Sequence, residues 1–228
     1  MGARSASRIV AALILAQIVC GAVLNFVLLA PLFGAPGFLV NAAPNALQIG
    51  LSVLFALAAG GLSLGIAITA FPIFRQHSQA IALWFVALAV AGLSLTAVEN
   101  MNVMSMVSLS EAYSKASAAD RDQFQALRTV VASGRNWAHY IRLVLDGSTI
   151  FVMYAALYRF ALVPRPLAAF GLAAVVLQLA AVAMPLVGYS VVFLMLAPLG
   201  VSQLILAIWL IAKGFRGRAN PGNERSDP

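Results

Sequence analysis

Glu99, Arg142 and Asp146 are the side chains of clear charge that fall well inside apolar segments of this 228-residue sequence. A charge at the centre of a membrane-crossing helix costs roughly 2.5–3.5 kcal/mol on insertion scales, so such groups turn toward other helices and find partners. Helical spacing offers those partners. At about 100° per residue, Arg135, His139, Arg142, Asp146 and Met153 share one stripe of a helix. Thr96, Glu99, Asn102 and Met106 share a face of the helix before it. Arg142 and Asp146 can pair at i, i+4 within their own helix. Glu99 and Arg142 lie at similar depth, so a contact between the two helices is physically reasonable.

Further polar groups collect at the same level, with Asn25 near the end of the first apolar segment and Gln48 and Ser52 opening the second. Two readings stay open. One is an ion-pair and hydrogen-bond lock without chemistry. The other is a polar pocket, reachable from the extracytoplasmic side, that binds a small ligand or lipid or handles protons. Its candidate residues are Glu99, Asn102, His139, Arg142, Asp146 and Asn25. No catalytic residue is assigned and no cofactor is expected. Met101, Met104 and Met106 resemble a thioether cluster for copper(I), but methionine also packs ordinary cores. There is no Gly-rich phosphate loop, nucleophile elbow or multi-histidine array, and the two histidines fall on opposite sides of the membrane.

The elements that must position these residues are apolar helices. The chain is 62% hydrophobic and 9% charged, with a mean hydropathy of +0.95. A soluble domain would carry roughly a quarter charged residues, so the solvent for most of this chain is lipid. Six apolar segments can each cross a hydrocarbon core of about 30 Å. Their expected limits are 9–30, 46–71, 80–109, 136–159, 167–184 and 189–212, in one all-α transmembrane bundle. The first connection (Pro31, Gly34, Pro36, Gly37, Pro44) is turn-rich and uncharged. The longest loop is expected over 110–135, with a short amphipathic helix from Phe124, Leu127 and Val131, and a polar tail follows from 213 to 228. Gly61 and Gly65 form a G-x-x-x-G that would permit close helix packing. The first segment is too long for a signal peptide, and the residues before Cys20 do not fit a lipoprotein cleavage site, so it is read as a retained helix.

Orientation follows from Lys and Arg. Arg4, Arg8, Arg75, Arg159, Arg165, Lys213, Arg216, Arg218 and Arg225 fall on one side. The other has only Lys115, Arg121, Arg128 and Arg135, with Glu111, Asp120 and Asp122 beside them. The richer side is expected in the cytoplasm, with both termini. Trp84, Trp209 and Trp137 at predicted boundaries agree with this placement. The net charge of +7 is accounted for by these loops and does not point to nucleic acid.

Arg135-Asn136-Trp137-Ala138-His139-Tyr140, then Tyr158-Arg159, Leu162-Val163-Pro164-Arg165 and Ile208 to Phe215 resemble the DUF4386 family of bacterial membrane proteins. Ala138 departs from that pattern, where a close relative would usually have Thr. The resemblance covers nearly the whole chain and implies a six-helix protein of the bacterial inner membrane. It implies no activity. The leading functional expectation is a non-enzymatic binding or sensing module for a small ligand or lipid. A small proton-coupled transporter using Glu99, Arg142 and Asp146 comes second, and a membrane-embedded redox or metal protein third. The bilayer, a small ligand or lipid, and a second copy of the chain are the expected partners.

Overall fold

The computed structural model describes residues 2–216, so Arg218, Arg225 and the rest of the predicted tail beyond Arg216 lie outside the described residues. The described chain is helical, and six of its helices are long and apolar enough to cross a membrane. They make this a multi-pass membrane protein. α1 is Ala3–Val23, continued by a π-helical turn, Leu24–Leu28. α2 is Ala46–Arg75, α3 is Gln79–Lys115 and α4 is Arg121–Arg159. α5 is Arg165–Ala183 and α6 is Ala197–Ala212.

Each helix packs on its neighbours in sequence and α6 packs back on α1, closing a ring. Six antiparallel crossings put both ends of the chain at one face, here the terminal face. There the ring closes through polar contacts: Phe215 N donates to Ser7 Oγ at 2.9 Å, and Arg216 N donates to Leu162 O at 2.8 Å. Short connections define the remaining turns. Ser78 caps α3 by accepting from Ile81 N. Pro164 and Pro166 start α5, and Gly188, with φ of 87°, ends the 3-10 turn after it.

The terminal half of the ring is filled. Val10, Ile14, Phe74, Phe85, Tyr154, Leu157, Leu206 and Leu210 belong to one buried apolar cluster drawn from all six helices and the 162–163 turn. Tyr154 lies so close to Gly171 that a Cβ there would overlap its ring. Its hydroxyl donates to Ser202 Oγ at 3.1 Å, which meets the requirement that a buried polar atom be paired.

The opposite half differs from the sequence expectation. The loop expected over 110–135 is confined to 116–120, because α3 and α4 run on as a helical hairpin. At ~1.5 Å per residue α3 is about 55 Å long, well beyond the ~30 Å that a hydrocarbon core requires. Phe124 meets Tyr113 edge-on at 5.8 Å and Val131 packs on a second buried cluster. Those contacts extend helix where polar composition alone suggested a loop, while Leu127 stays exposed. The α1–α2 connection folds as two short helices, Ala30–Phe33 and Phe38–Asn41, against the root of the hairpin. Ser110 Oγ fixes it there, donating to Leu39 O and accepting from Ala43 N, each at 2.8 Å.

Gly61 and Gly65 do not share a packing face. A Cβ on Gly61 would meet nothing within 4 Å, whereas Gly60 faces Leu93 of α3 and Gly65 faces Leu13 of α1. The three methionines also diverge. Met101 is 69% exposed and Met106 is 3% exposed in the second cluster, so they assemble no common thioether site.

Candidate functional site

α4 carries Arg135, His139, Arg142 and Asp146 on one stripe, and α3 brings Glu99 against it. Glu99 is the hub. Its Oε1 accepts from Arg135 Nη2 at 3.0 Å and faces His139 Nδ1 at 2.8 Å, and its Oε2 accepts from Arg142 Nε at 2.5 Å. An ionised carboxylate only accepts, so in this pairing His139 Nδ1 carries the hydrogen. Arg142 Nη1 donates to Asp146 Oδ2 at 2.6 Å. Glu99 and Arg135 are each 6% exposed. The guanidinium of Arg135 also lies 4.9 Å from the Phe33 ring centroid, a cation–π contact. Two carboxylates face two guanidiniums, so the network is neutral when His139 is neutral.

Depth along the helices orders these groups. Counting ~1.5 Å per residue from the terminal ends of α3 and α4, Glu99 and His139 lie about 30 Å up, Arg142 about 26 Å and Asp146 about 20 Å. The network therefore runs along the bundle from the hairpin side toward the terminal face. Asp146 goes deepest because Gly92 leaves room for it. A Cβ on Gly92 would sit 2.7 Å from Asp146 Oδ1.

The network forms one wall of a cavity of about 160 Å³ between α1, α2, α3 and α4. Thr96 and Asn100 line it from α3, and Gln17 and Ser63 from α1 and α2. That volume exceeds the ~10–15 Å³ needed for one water many times over. The π-helical turn of α1 borders it through Leu24. Gln48 Nε2 contacts Val27 O and Leu28 O at 3.0 and 3.2 Å, and so covers carbonyls at the end of that turn.

The structure thus brings Glu99, His139, Arg142 and Asp146 into one network. Asn25 lines the same cavity but its amide donates to Gly21 O of its own helix, 2.8 Å away. Asn102 lies outside the cavity lining. It donates to Val98 O at 2.9 Å, and its Oδ1 abuts Gly134, where a Cβ would come within 2.9 Å. Asn100, two residues earlier, occupies the position expected of it. Sequence reasoning also places Arg135 in a loop, although its position on the α4 stripe is a usable signal. It misses Gln17 and Ser63 as well, which are hydrogen bonded at 2.5 Å. A glutamine inside an apolar span is the signal there.

Among the described residues, no three His, Cys, Asp or Glu side chains group as metal ligands do. Residues 9–214 match the family described as "Domain of unknown function (DUF4386)". No curated protein and no solved structure matches the chain.

Proposed function

This chain belongs to the DUF4386 family, and we propose that it is a non-enzymatic binding or sensing module of the bacterial cytoplasmic membrane, with both termini in the cytoplasm. The bound species is a small ligand or lipid held in the polar cavity between α1 and α4. The extracytoplasmic aqueous phase then meets the hairpin face, where the network begins.

One observation carries the reading. The charged network borders open space. A lock needs no adjoining space, whereas a cavity of about 160 Å³ at the network gives a guest room beside charged and polar groups. Here Arg135, which has five donors, is buried on the cavity wall with Nε unpartnered. A guest in the cavity offers an acceptor to this guanidinium.

A transporter needs the same cavity to open at the terminal face as well. That half is packed by Phe74, Phe85, Tyr154 and Leu210, which favours binding over passage in this conformation. Native mass spectrometry of the full chain released gently from micelles tests the reading. The expected spectrum contains a resolved adduct that Ala59→Phe, which projects into the cavity lining, abolishes. A spectrum with only the mass of the bare chain, under conditions that preserve known lipid adducts on a control membrane protein, overturns it.

A further inference from the structure

Below the charged network lies a second space that the proposed binding site does not use. It has a volume of about 320 Å³ and is bordered by α1, α2, α4, α5 and α6. Its polar lining is Gln17, Ser63, Asp146, Thr149, Gln178 and Gln203. Gln17, Ser63 and Asp146 also line the upper cavity, so these three side chains form the wall that the two spaces share. Counting ~1.5 Å per residue from the terminal ends of their helices, the six lie about 14–21 Å up, near the middle of the hydrocarbon core. A further small space, bordered by Phe85 and Met153, ends the descent. Beneath it the apolar cluster of the terminal half begins.

Lipid cannot satisfy amides and hydroxyls at this depth, and an unpaired buried polar group is costly. Most of the six have partners. Gln17 donates to Ser63, Thr149 donates to Leu145 O at 2.9 Å, and Asp146 accepts from Arg142. Gln178 Oε1 is buried with no partner. The Gln178 side chain borders this roomy polar space, so a donor from outside the protein reaches the acceptor once the amide turns into it. Apart from Asp146, already paired, the lining carries no charge. An ion brought here would meet no free counter-charge, whereas a neutral donor would meet an acceptor in need of one.

We propose that this lower chamber is a hydrated site for small neutral hydrogen-bonding solutes, hydroxyl- or amide-bearing, that arrive from the hairpin-side aqueous phase past Asp146. Its depth separates it from lipid headgroups, which stay at the interface. The proposal rests on the binding reading above and assigns the chemistry of its deeper half.

Cysteine accessibility tests it in the full chain held in nanodiscs, on a Cys20→Ala background. The probes are methanethiosulfonates with a neutral hydroxyethyl, a trimethylammonium or a sulfonate head. Gln203→Cys, which lines the lower space and not the upper, reports the lower chamber, and Asn25→Cys the upper cavity. Leu206→Cys, fully buried beneath the floor, is the closed reference, and exposed Val130→Cys sets the intrinsic reagent rates. The neutral probe should label Gln203→Cys at least about ten-fold faster than Leu206→Cys. Charged probes should be at least about ten-fold slower there than the neutral one, since a charge at mid-depth is penalised by more than one decade. If Asn25→Cys labels and Gln203→Cys reacts no faster than Leu206→Cys, the lower chamber is refuted and the upper site stands. If neither labels, both readings fall. Equal rates for charged and neutral probes at Gln203→Cys refute the neutral-solute assignment. Should Gln203→Cys not fold, Thr149→Cys, which also lines the lower space and not the upper, serves with the same outcomes.

Discussion

Gly92 of α3 and Asp146 of α4 form a close pair in which the missing side chain of one makes room for the carboxylate of the other, with Oδ1 2.7 Å from where a Cβ would be. Gly92→Ala should therefore push Asp146 off Arg142. The expected cost is about 1–3 kcal/mol, in the range for added bulk at a packed site. It should appear as a lowered unfolding temperature in detergent. Repeating the Gly92→Ala comparison on an Asp146→Ala background, which removes the carboxylate the new Cβ would meet, should abolish most of that difference and so identifies the contact. An unchanged difference would place the strain elsewhere.

The hub position of Glu99 predicts unequal single mutants. Glu99→Gln leaves Arg135 without a charge partner, while Arg142 keeps Asp146; Arg142→Met leaves Asp146 without one, while Glu99 keeps Arg135 and His139. Removing a member of a buried pair typically costs about 3–5 kcal/mol, and the Arg135 side chain is more deeply buried than that of Asp146, so Glu99→Gln should be the more damaging in thermal unfolding. The double variant should recover little, because Arg135 and Asp146 both remain without a charge partner. Full recovery in the double variant would reduce the network to one isolated pair.

Gly171 and Gly61 offer a sharper contrast. Gly171→Ala drives a methyl into the Tyr154 ring, which α5 and α6 hold in place, and folding should fail or lose at least about 1–3 kcal/mol. Gly61→Ala meets open space and should be neutral or slightly stabilising. Equal expression and stability of the two variants would contradict the packing described for the terminal half.

Orientation is tested by reporter fusions. Fusions after Arg75, Arg165 and Arg216 should report the cytoplasm, and a fusion near Ala118 the periplasm. A reversed signal at any one of these positions breaks the six-crossing arrangement.

Limited proteolysis from the hairpin side should cut within 116–120 and spare 121–134, because only the former lies between helices. Rapid cleavage around Arg128 would show that the α4 extension is not a stable helix.

The six crossings were legible because apolar length is a coarse quantity that lipid enforces. Helix limits beyond the membrane were not. Between Ser110 and Arg135 the composition turns polar, and only the tertiary contacts of Phe124 and Val131 distinguish helix from loop. The charged partners were legible from the α4 stripe, where spacings of four, three and four residues hold one phase. The α3 face was placed with a phase error. The residues that line the cavity there include Gly92, Thr96, Glu99, Asn100 and Val103, so the face centres away from Asn102. A single charge fixes which helix matters but not how that helix is rotated. Gln17, Gln178 and Gln203 went unread because an uncharged amide is tolerated singly in many spans, and only the fold shows three of them meeting.

The ring order has a consequence for biogenesis. Pairs of neighbouring helices can leave the insertion machinery as finished hairpins, each with its partner already beside it. The seam between α1 and α6 cannot, since its two halves are the first and last spans to emerge. Until α6 docks, Gln17 and Asp146 face a gap where Leu199 and Gln203 will stand. A nascent chain arrested after α5 would therefore display an open polar notch toward lipid, a mark by which membrane quality-control proteases could tell unfinished copies from finished ones.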